Sequence, residues 1–353
     1  MPRLRALLTM PLAMVLCGLG MTDPPAEPDR TGLKDPQATA LARLVARTGT
    51  PAAALLTDDG DRSRFGTAGS GLGRDDRFRA GSLTKSFVAT VVLQLAAEGR
   101  LRLDDTVEQH LPGLVRGHGN DGRHLTLRSL LSHTSGLFPY TADSTAPVPV
   151  TPSQAVHTAL THYPGPPGIY AYSNTNYVVL GMVVQQVTGH TYAAEADRRI
   201  ITPLHLTGTS FPGARTTLPS PHGRAYSPGG HDVTELDPRP AGAAGELIST
   251  LADLSRFYAA LVGGALLPAP QQRELLDTSA THGVYGLGVY PERLSCGLTV
   301  WGHNGRISGS LVRAAATADG RHTAVFRINS DITLNPSLEL SLLDSEFCPA
   351  ADH

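Results

Sequence analysis

Apolar residues follow two kinds of pattern along this chain, and the kind changes near Gly283. Before that point the spacing is mostly helical. Leu41, Leu44 and Val45 mark a helix over Pro36–Arg47. Phe87, Val88, Val91, Val92 and Leu95 recur three and four apart from Ser86 to Gly99, where glycine is a favoured C-terminal stop. Shorter helices are expected over Thr126–His133 and Ala193–Ile201. Longer ones are expected over the apolar run Tyr177–Val187, which ends at Gly189, and over Thr250–Val262. Beyond Gly283, short runs flanked by Gly, Asn or Asp predict strands at Tyr285–Tyr290, Leu298–Gly302, Ser310–Thr317 and His322–Asn329. A closing helix spans Ser337–Phe347. Near the other end, Pro51–Thr57 stops at Asp58-Asp59-Gly60, with Arg64–Gly71 as its hairpin partner. Strands thus lie near both ends and helices between them. That order predicts one α/β layer from 36–80 and 283–353, with a mainly helical domain, 81–282, inserted.

The first residues form a different class. Arg3 and Arg5 precede the apolar run Ala6–Leu16, and small residues follow at Gly18 and Gly20. This is the pattern of a signal peptide, 1–20, ahead of a Pro- and Asp-rich flexible leader, 21–35. A secreted or cell-envelope location follows, with no stable membrane span in the mature chain. Removal of that segment takes Cys17 and leaves Cys296 and Cys348, an even pair that in an exported protein suggests a disulfide. Hydrophobic residues make up 41% and charged residues 17%, enough for a sizeable core, and the monomer is the expected state. A net charge of −2 gives no reason to expect a nucleic-acid partner.

Candidate chemistry begins at Ser82-Leu83-Thr84-Lys85, just ahead of the strongest helical pattern. A serine and a lysine three apart at a helix start share one face, close enough to exchange a proton. Alone, Ser82 reads better as a simple helix cap. The lysine sharpens the case. Lys34 and Lys85 are the only two lysines in a chain rich in arginine. Arginine keeps its proton in proteins, whereas a desolvated lysine can lose it. Two further clusters follow: Tyr172-Ser173-Asn174, and Trp301-Gly302-His303-Asn304-Gly305-Arg306. No His/Cys set has metal-ligand spacing and no glycine-rich nucleotide loop appears, so no metal or cofactor is expected.

Ser-x-x-Lys, Tyr-x-Asn and a basic residue-x-Gly strand, in that order, resemble the serine β-lactamase and penicillin-binding family. The likeness is especially to class C β-lactamases and to Streptomyces-type D-alanyl-D-alanine carboxypeptidases, which share His-x-Gly. Leu130-Leu131-Ser132-His133-Thr134-Ser135-Gly136-Leu137 is similar to another family segment, and the Cys296–Cys348 pairing is similar to that of the carboxypeptidase branch. The resemblance implies an α/β sandwich, mainly antiparallel sheet with flanking helices, plus an inserted all-α domain: a β-lactamase/transpeptidase-like fold.

It also implies roles. Ser82 attacks and becomes acylated, Lys85 takes its proton, and Tyr172 passes a proton to the leaving group if nearby positive charge favours its anion. His303 hydrogen-bonds into that set and holds Tyr172. Asn174, His303, Asn304, Gly305 and Arg306 line the substrate site. Gly302, Gly305 and Gly309 let substrate lie close, and the Ser82 and Arg306 N–H groups hold the oxyanion. His133 reads as a structural residue of its turn. In the carboxypeptidases an arginine upstream of the cysteine binds a substrate carboxylate. Here that stretch reads Tyr290-Pro291-Glu292-Arg293, which leaves Arg306 as a second candidate. The leading expectation is an exported D-alanyl-D-alanine carboxypeptidase taking small peptides, with β-lactams as acylating ligands. The alternatives are an esterase or D-amino-acid amidase of this fold, a β-lactamase, and a non-catalytic penicillin-binding module.

Overall fold

The strand-like runs at the two ends of the chain meet in one six-stranded sheet. The computed structural model describes residues 36–332 and 334–348, so the signal peptide and leader expected over 1–35 lie outside the described residues. Strands β1 (Ala52–Asp58) and β2 (Ser63–Gly69) come from one end. Strands β3 (Tyr290–Arg293), β4 (Thr299–Ile307), β5 (Ser310–Thr317) and β6 (Thr323–Ile328) come from the other. Their order is β2-β1-β6-β5-β4-β3, and every neighbouring pair is antiparallel. Ala53 opposite Ile328 and Thr57 opposite Ala324 set the register that joins the two ends.

Helices cover both faces of the sheet. On one face α1 (Pro36–Thr48) and α5 (Pro336–Phe347) bring Leu41, Leu44, Leu342, Leu343 and Phe347 onto Leu55, Phe326 and Ile328. With both faces covered, β6 is buried throughout and β1 nearly so, which is why they read as unbroken apolar runs without alternation. Helices α2 (Thr84–Ala97) and α3 (Asn174–Thr188) lie in the middle of the chain, and α4 (Leu251–Val262) follows. The sequence groups α4 with the helical insert, but it packs on β5 and β6. The residues from Asp35 onward form one compact unit.

Two local expectations change. The run Tyr285–Val289 is not a strand, and β3 starts only at Tyr290. A Cβ on Gly286 would stand 2.3 Å from the Leu275 carbonyl, and one on Gly288 would stand 2.5 Å from Ala89 Cβ. These glycines press the stretch against helices instead of a neighbouring strand. A helix at Pro152–Leu160 escapes the apolar pattern but not the capping chemistry, because Thr151 and Gln154 form a capping box at its start.

Helix α2 carries the Ser82 turn at its head and is buried nearly all round, from Thr84 to Leu93 and at Leu95. An element enclosed on every side holds what precedes it rigidly. At the sheet edge, Cys296 in the β3–β4 turn is bonded to Cys348 beyond α5, with Cα atoms 5.8 Å apart. The bridge spans 52 positions. Replacing both cysteines by serine is expected to cost about 2–4 kcal/mol, read as a lower Tm. An unchanged Tm would show that the tether adds nothing.

Candidate active site

Ser82 lies in the 3₁₀ turn Gly81–Leu83, immediately before α2. The turn is tied down on both sides. Thr84 Oγ1 donates to the Gly81 carbonyl at 2.7 Å and accepts from Leu247 N at 3.0 Å. Ala80 N donates to the Leu247 carbonyl at 2.7 Å. Lys85, the second residue of α2, is wholly buried. Its Nζ is 2.9 Å from Ser82 Oγ, 2.8 Å from Asn174 Oδ1 and 2.6 Å from the Ala244 carbonyl.

Burial holds the Lys85 amine well below its ordinary value, since the charged form loses its hydration. A neutral amine has two N–H bonds and one lone pair. Asn174 Oδ1 and the Ala244 carbonyl only accept, so they take the two N–H bonds. In that neutral form the lone pair is left to take the proton of the Ser82 hydroxyl, 2.9 Å away. That is the geometry of a general base on its nucleophile.

Tyr172 enters from the segment before α3, and its hydroxyl hydrogen-bonds Ser82. Burial raises the phenol above its ordinary value, with the bond to Ser82 opposing. The expected phenolate is therefore disfavoured, and Tyr172 stands beside Ser82 as a neutral phenol. Asn174, the first residue of α3, gives Oδ1 to Lys85 while its Nδ2 donates to Thr141 Oγ1 at 3.1 Å.

The role expected for His303 is corrected. It is 1% exposed and does not line the cleft. Its Nε2 lies 2.8 Å from the Tyr285 hydroxyl, its Nδ1 meets its neighbour's Asn304 carbonyl, and its ring centroid is 6.3 Å from Tyr172. Burial lowers it to about 3, so it is neutral near pH 7. It packs behind the site and touches neither the serine nor the substrate space.

The cleft at Ser82 measures about 460 Å³. Tyr172, Asn174, Asn304, Gly305 and Arg306 line it with the serine, and Leu311, Ile332, Leu334 and Glu339 extend it toward α5. Strand β3 pairs β4 only from Thr299 to Gly302, so the edge at Asn304–Arg306 faces the cleft. The glycines act differently from expectation. A Cβ on Gly302 would meet the Ala314 carbonyl at 1.9 Å, and one on Gly309 would meet Val233 at 2.6 Å. One on Gly305 would meet the Ala80 carbonyl at 2.0 Å and Ser82 N at 3.0 Å. Gly302 and Gly305 bring backbone against backbone, and Gly309 makes room for the Val233 and Ala225 side chains. Gly81, at φ +57°, would place a Cβ 2.9 Å from Arg306 N. The Ser82 and Arg306 amides are thereby held side by side, as an oxyanion requires.

Among the arginines, Arg306 lines the cleft. Arg293 is exposed at the end of β3 and does not. Arg313, which the sequence does not single out, is fully buried, 4.4 Å over the Tyr290 ring, with Nε 3.0 Å from Glu339. Sequence reasoning also missed Tyr285, Tyr177 and the Ala244 carbonyl. A signal for the tyrosines was present. In a chain with 5% aromatics and ten tyrosines, Tyr170, Tyr172, Tyr177, Tyr285 and Tyr290 all gather on His133 or His303. A main-chain carbonyl leaves no such trace. Among the described residues no group of three or more His, Cys, Asp or Glu is placed to hold a metal ion, and no helix is long and apolar enough to cross a membrane.

Comparison with known proteins agrees with this geometry. Residues 38–334 match the family model described as Beta-lactamase. The crystal structure of a D-stereospecific amidohydrolase from Streptomyces sp. is 43% identical, with a TM-score of 0.83 over 90% of this chain and 99% of that one. The D-amino acid amidase from Ochrobactrum anthropi SV3 is 26% identical, with a TM-score of 0.75 over 88% and 97%. The putative penicillin-binding protein PbpX of Bacillus subtilis (strain 168) is 29% identical over 216 residues, which cover 60% of this chain. The match spans about half (53%) of that relative's own length. The chain belongs to the beta-lactamase family and is a serine hydrolase of that fold.

Proposed function

We propose that this chain hydrolyses amides and esters of D-amino acids through an acyl-enzyme on Ser82. The observation that carries the reading is the buried Lys85 Nζ, 2.9 Å from Ser82 Oγ. In the first half-reaction Ser82 Oγ attacks the carbonyl carbon and its proton passes to Lys85 Nζ. The Ser82 and Arg306 amides receive the oxyanion. Collapse expels the leaving amine, which takes the Tyr172 proton, and the Lys85 ammonium then gives up its added proton to the phenolate, so that both groups return to their starting forms. Water then repeats the sequence in reverse roles and frees the acid. The D-amino-acid substrate class is supported by the likeness to the Streptomyces amidohydrolase over nearly its whole length. A place outside the cytoplasm, reached through the segment 1–20, belongs to the same proposal.

A second reading, D-alanyl-D-alanine carboxypeptidase, is favoured by Arg306 on the cleft wall, where a guanidinium suits a substrate carboxylate. Turnover of D-phenylalanine amide, L-phenylalanine amide and a D-Ala-D-Ala peptide separates the two. The D-amide is expected to lead the L-amide by about 10-fold or more in kcat/KM. Faster turnover of the peptide would replace the amidase reading with the carboxypeptidase one, and an L-preference would remove both.

A further inference from the structure

We propose that His133 is the positioning residue that holds Tyr172 at the angle its proton transfer needs. This rests on the reading that Tyr172 protonates the leaving group. His133 is fully buried and adopts φ +58°, a conformation that is uncommon outside glycine and that recurs where function imposes it. Its main chain and side chain grip both neighbours of Tyr172. The His133 carbonyl accepts from Ala171 N at 2.8 Å. The Nδ1 atom accepts from Ser173 N at 3.2 Å and from Asn176 Nδ2 at 3.1 Å. The Asn176 amide is itself oriented, because Ser135 Oγ donates to its Oδ1 at 2.6 Å.

The rest of the run 133–136 extends the grip. The Thr134 and Gly136 carbonyls accept from Gly168 N and Gly165 N, each at 2.8 Å. The segment leading into Tyr172 is thus laid along 133–136 like a short paired strand. The imidazole then stacks on the Tyr172 ring, with centroids 4.2 Å apart and planes 33° apart. Tyr172 keeps 38% of its surface exposed, so packing from this inner side has to fix its orientation.

The ring is also held in one charge state. Nδ1 already accepts from two donors, so the neutral ring carries its hydrogen on Nε2. That atom is buried and finds no hydrogen-bond partner. It stands among aromatic rings, with Tyr285 at 5.0 Å and Tyr177 at 5.3 Å from the imidazole centroid. Protonating Nδ1 would break both bonds that flank Tyr172. Burial pushes the imidazole well below its ordinary value.

The test uses leaving groups of different need. A p-nitrophenolate leaves without a proton, whereas an amine must receive one. His133→Asn keeps an acceptor and tolerates the positive φ but loses the stacked ring. It is assayed with Tyr172→Phe and the double variant, on D-alanine amide and D-alanine p-nitrophenyl ester. For H133N, kcat on the amide is expected to fall about 10- to 100-fold with KM nearly unchanged, while kcat on the ester stays within about threefold. The double variant is expected to be no worse than Y172F, because both changes remove one function. Equal losses on ester and amide, multiplicative losses in the double variant, or an unaffected amide rate would each overturn the proposal. If Y172F itself shows no amide-selective loss, the donor role of Tyr172 falls first and this inference falls with it. Should H133N not fold, Asn176→Ser removes one donor from Nδ1 and is expected to show the same selectivity in milder form.

Discussion

Lys85→Arg is expected to lower kcat by about 10²- to 10⁴-fold on every substrate, ester and amide alike. The change keeps a long cation at the same helix position and removes the one property the site uses. Nζ can serve as a base because burial lowers the amine well below its ordinary value, and a guanidinium does not release its proton. The uniform loss matters. It sets the base, needed whatever the leaving group, apart from Tyr172, whose proton only a poor leaving group requires. The wild-type pH profile carries the sign. Lys85 must be neutral to accept the serine proton, so kcat/KM is expected to rise with pH through its lowered folded-state value and level off above it. His303, brought down to about 3, contributes no step near neutrality. The same shift links to stability. The folded chain binds fewer protons at Lys85 than the unfolded chain between that lowered value and 10.5. Lys85's contribution to stability therefore rises with pH across this window and is lost as pH falls through it. A bell centred near pH 6.5 that disappears on removing His303 would contradict this assignment.

Gly305→Ala is expected to cut kcat by about 10² to 10³-fold, the worth of an oxyanion donor, and to destabilise the fold by about 1–3 kcal/mol. The added methyl has no room. It would meet the Ala80 carbonyl at 2.0 Å, Leu83 Cδ1 at 2.8 Å and Ser82 N at 3.0 Å. Two of these atoms are backbone, and a side-chain rotation cannot clear them. The edge of β4 would have to move off the Ser82 turn and carry the Arg306 amide with it. Thermal denaturation and kcat measured on the same preparation read the two effects separately. A variant with unchanged kcat would show that the Arg306 amide does not serve the oxyanion.

Much of the frame was legible because it depends on local patterns. Helices α1, α2, α4 and α5 fall close to the residues that their apolar spacing and end signals mark. Strand β5 begins and ends where the run Ser310–Thr317 does. Tyr285–Val289 misled because apolar, glycine-flanked residues read the same way whether they pair with a strand or press on a helix. Packing distant in sequence decides between these, here Leu275 and Ala89.

At the site, the rarity of lysine singled out Lys85 correctly as a buried amine, since residue choice records chemistry even without coordinates. His303 was misplaced for the opposite reason. A histidine beside Gly305 looks like part of the substrate edge. Side chains alternate across a strand, and residue 303 turns inward to Tyr285 while residues 304 and 306 are exposed. Read from its neighbours in sequence, His133 is a residue of its local turn. Its three-dimensional neighbours, Tyr172 and Asn176, lie about forty positions away, beyond any local signal.

The most direct test of the acyl-enzyme is mass spectrometry of the folded protein after exposure to a labelled penicillin, followed by peptide mapping. One covalent adduct on Ser82 is expected, absent from Ser82→Ala and slow to form in Lys85→Arg. An adduct on another residue, or none on folded protein, would contradict Ser82 as the nucleophile.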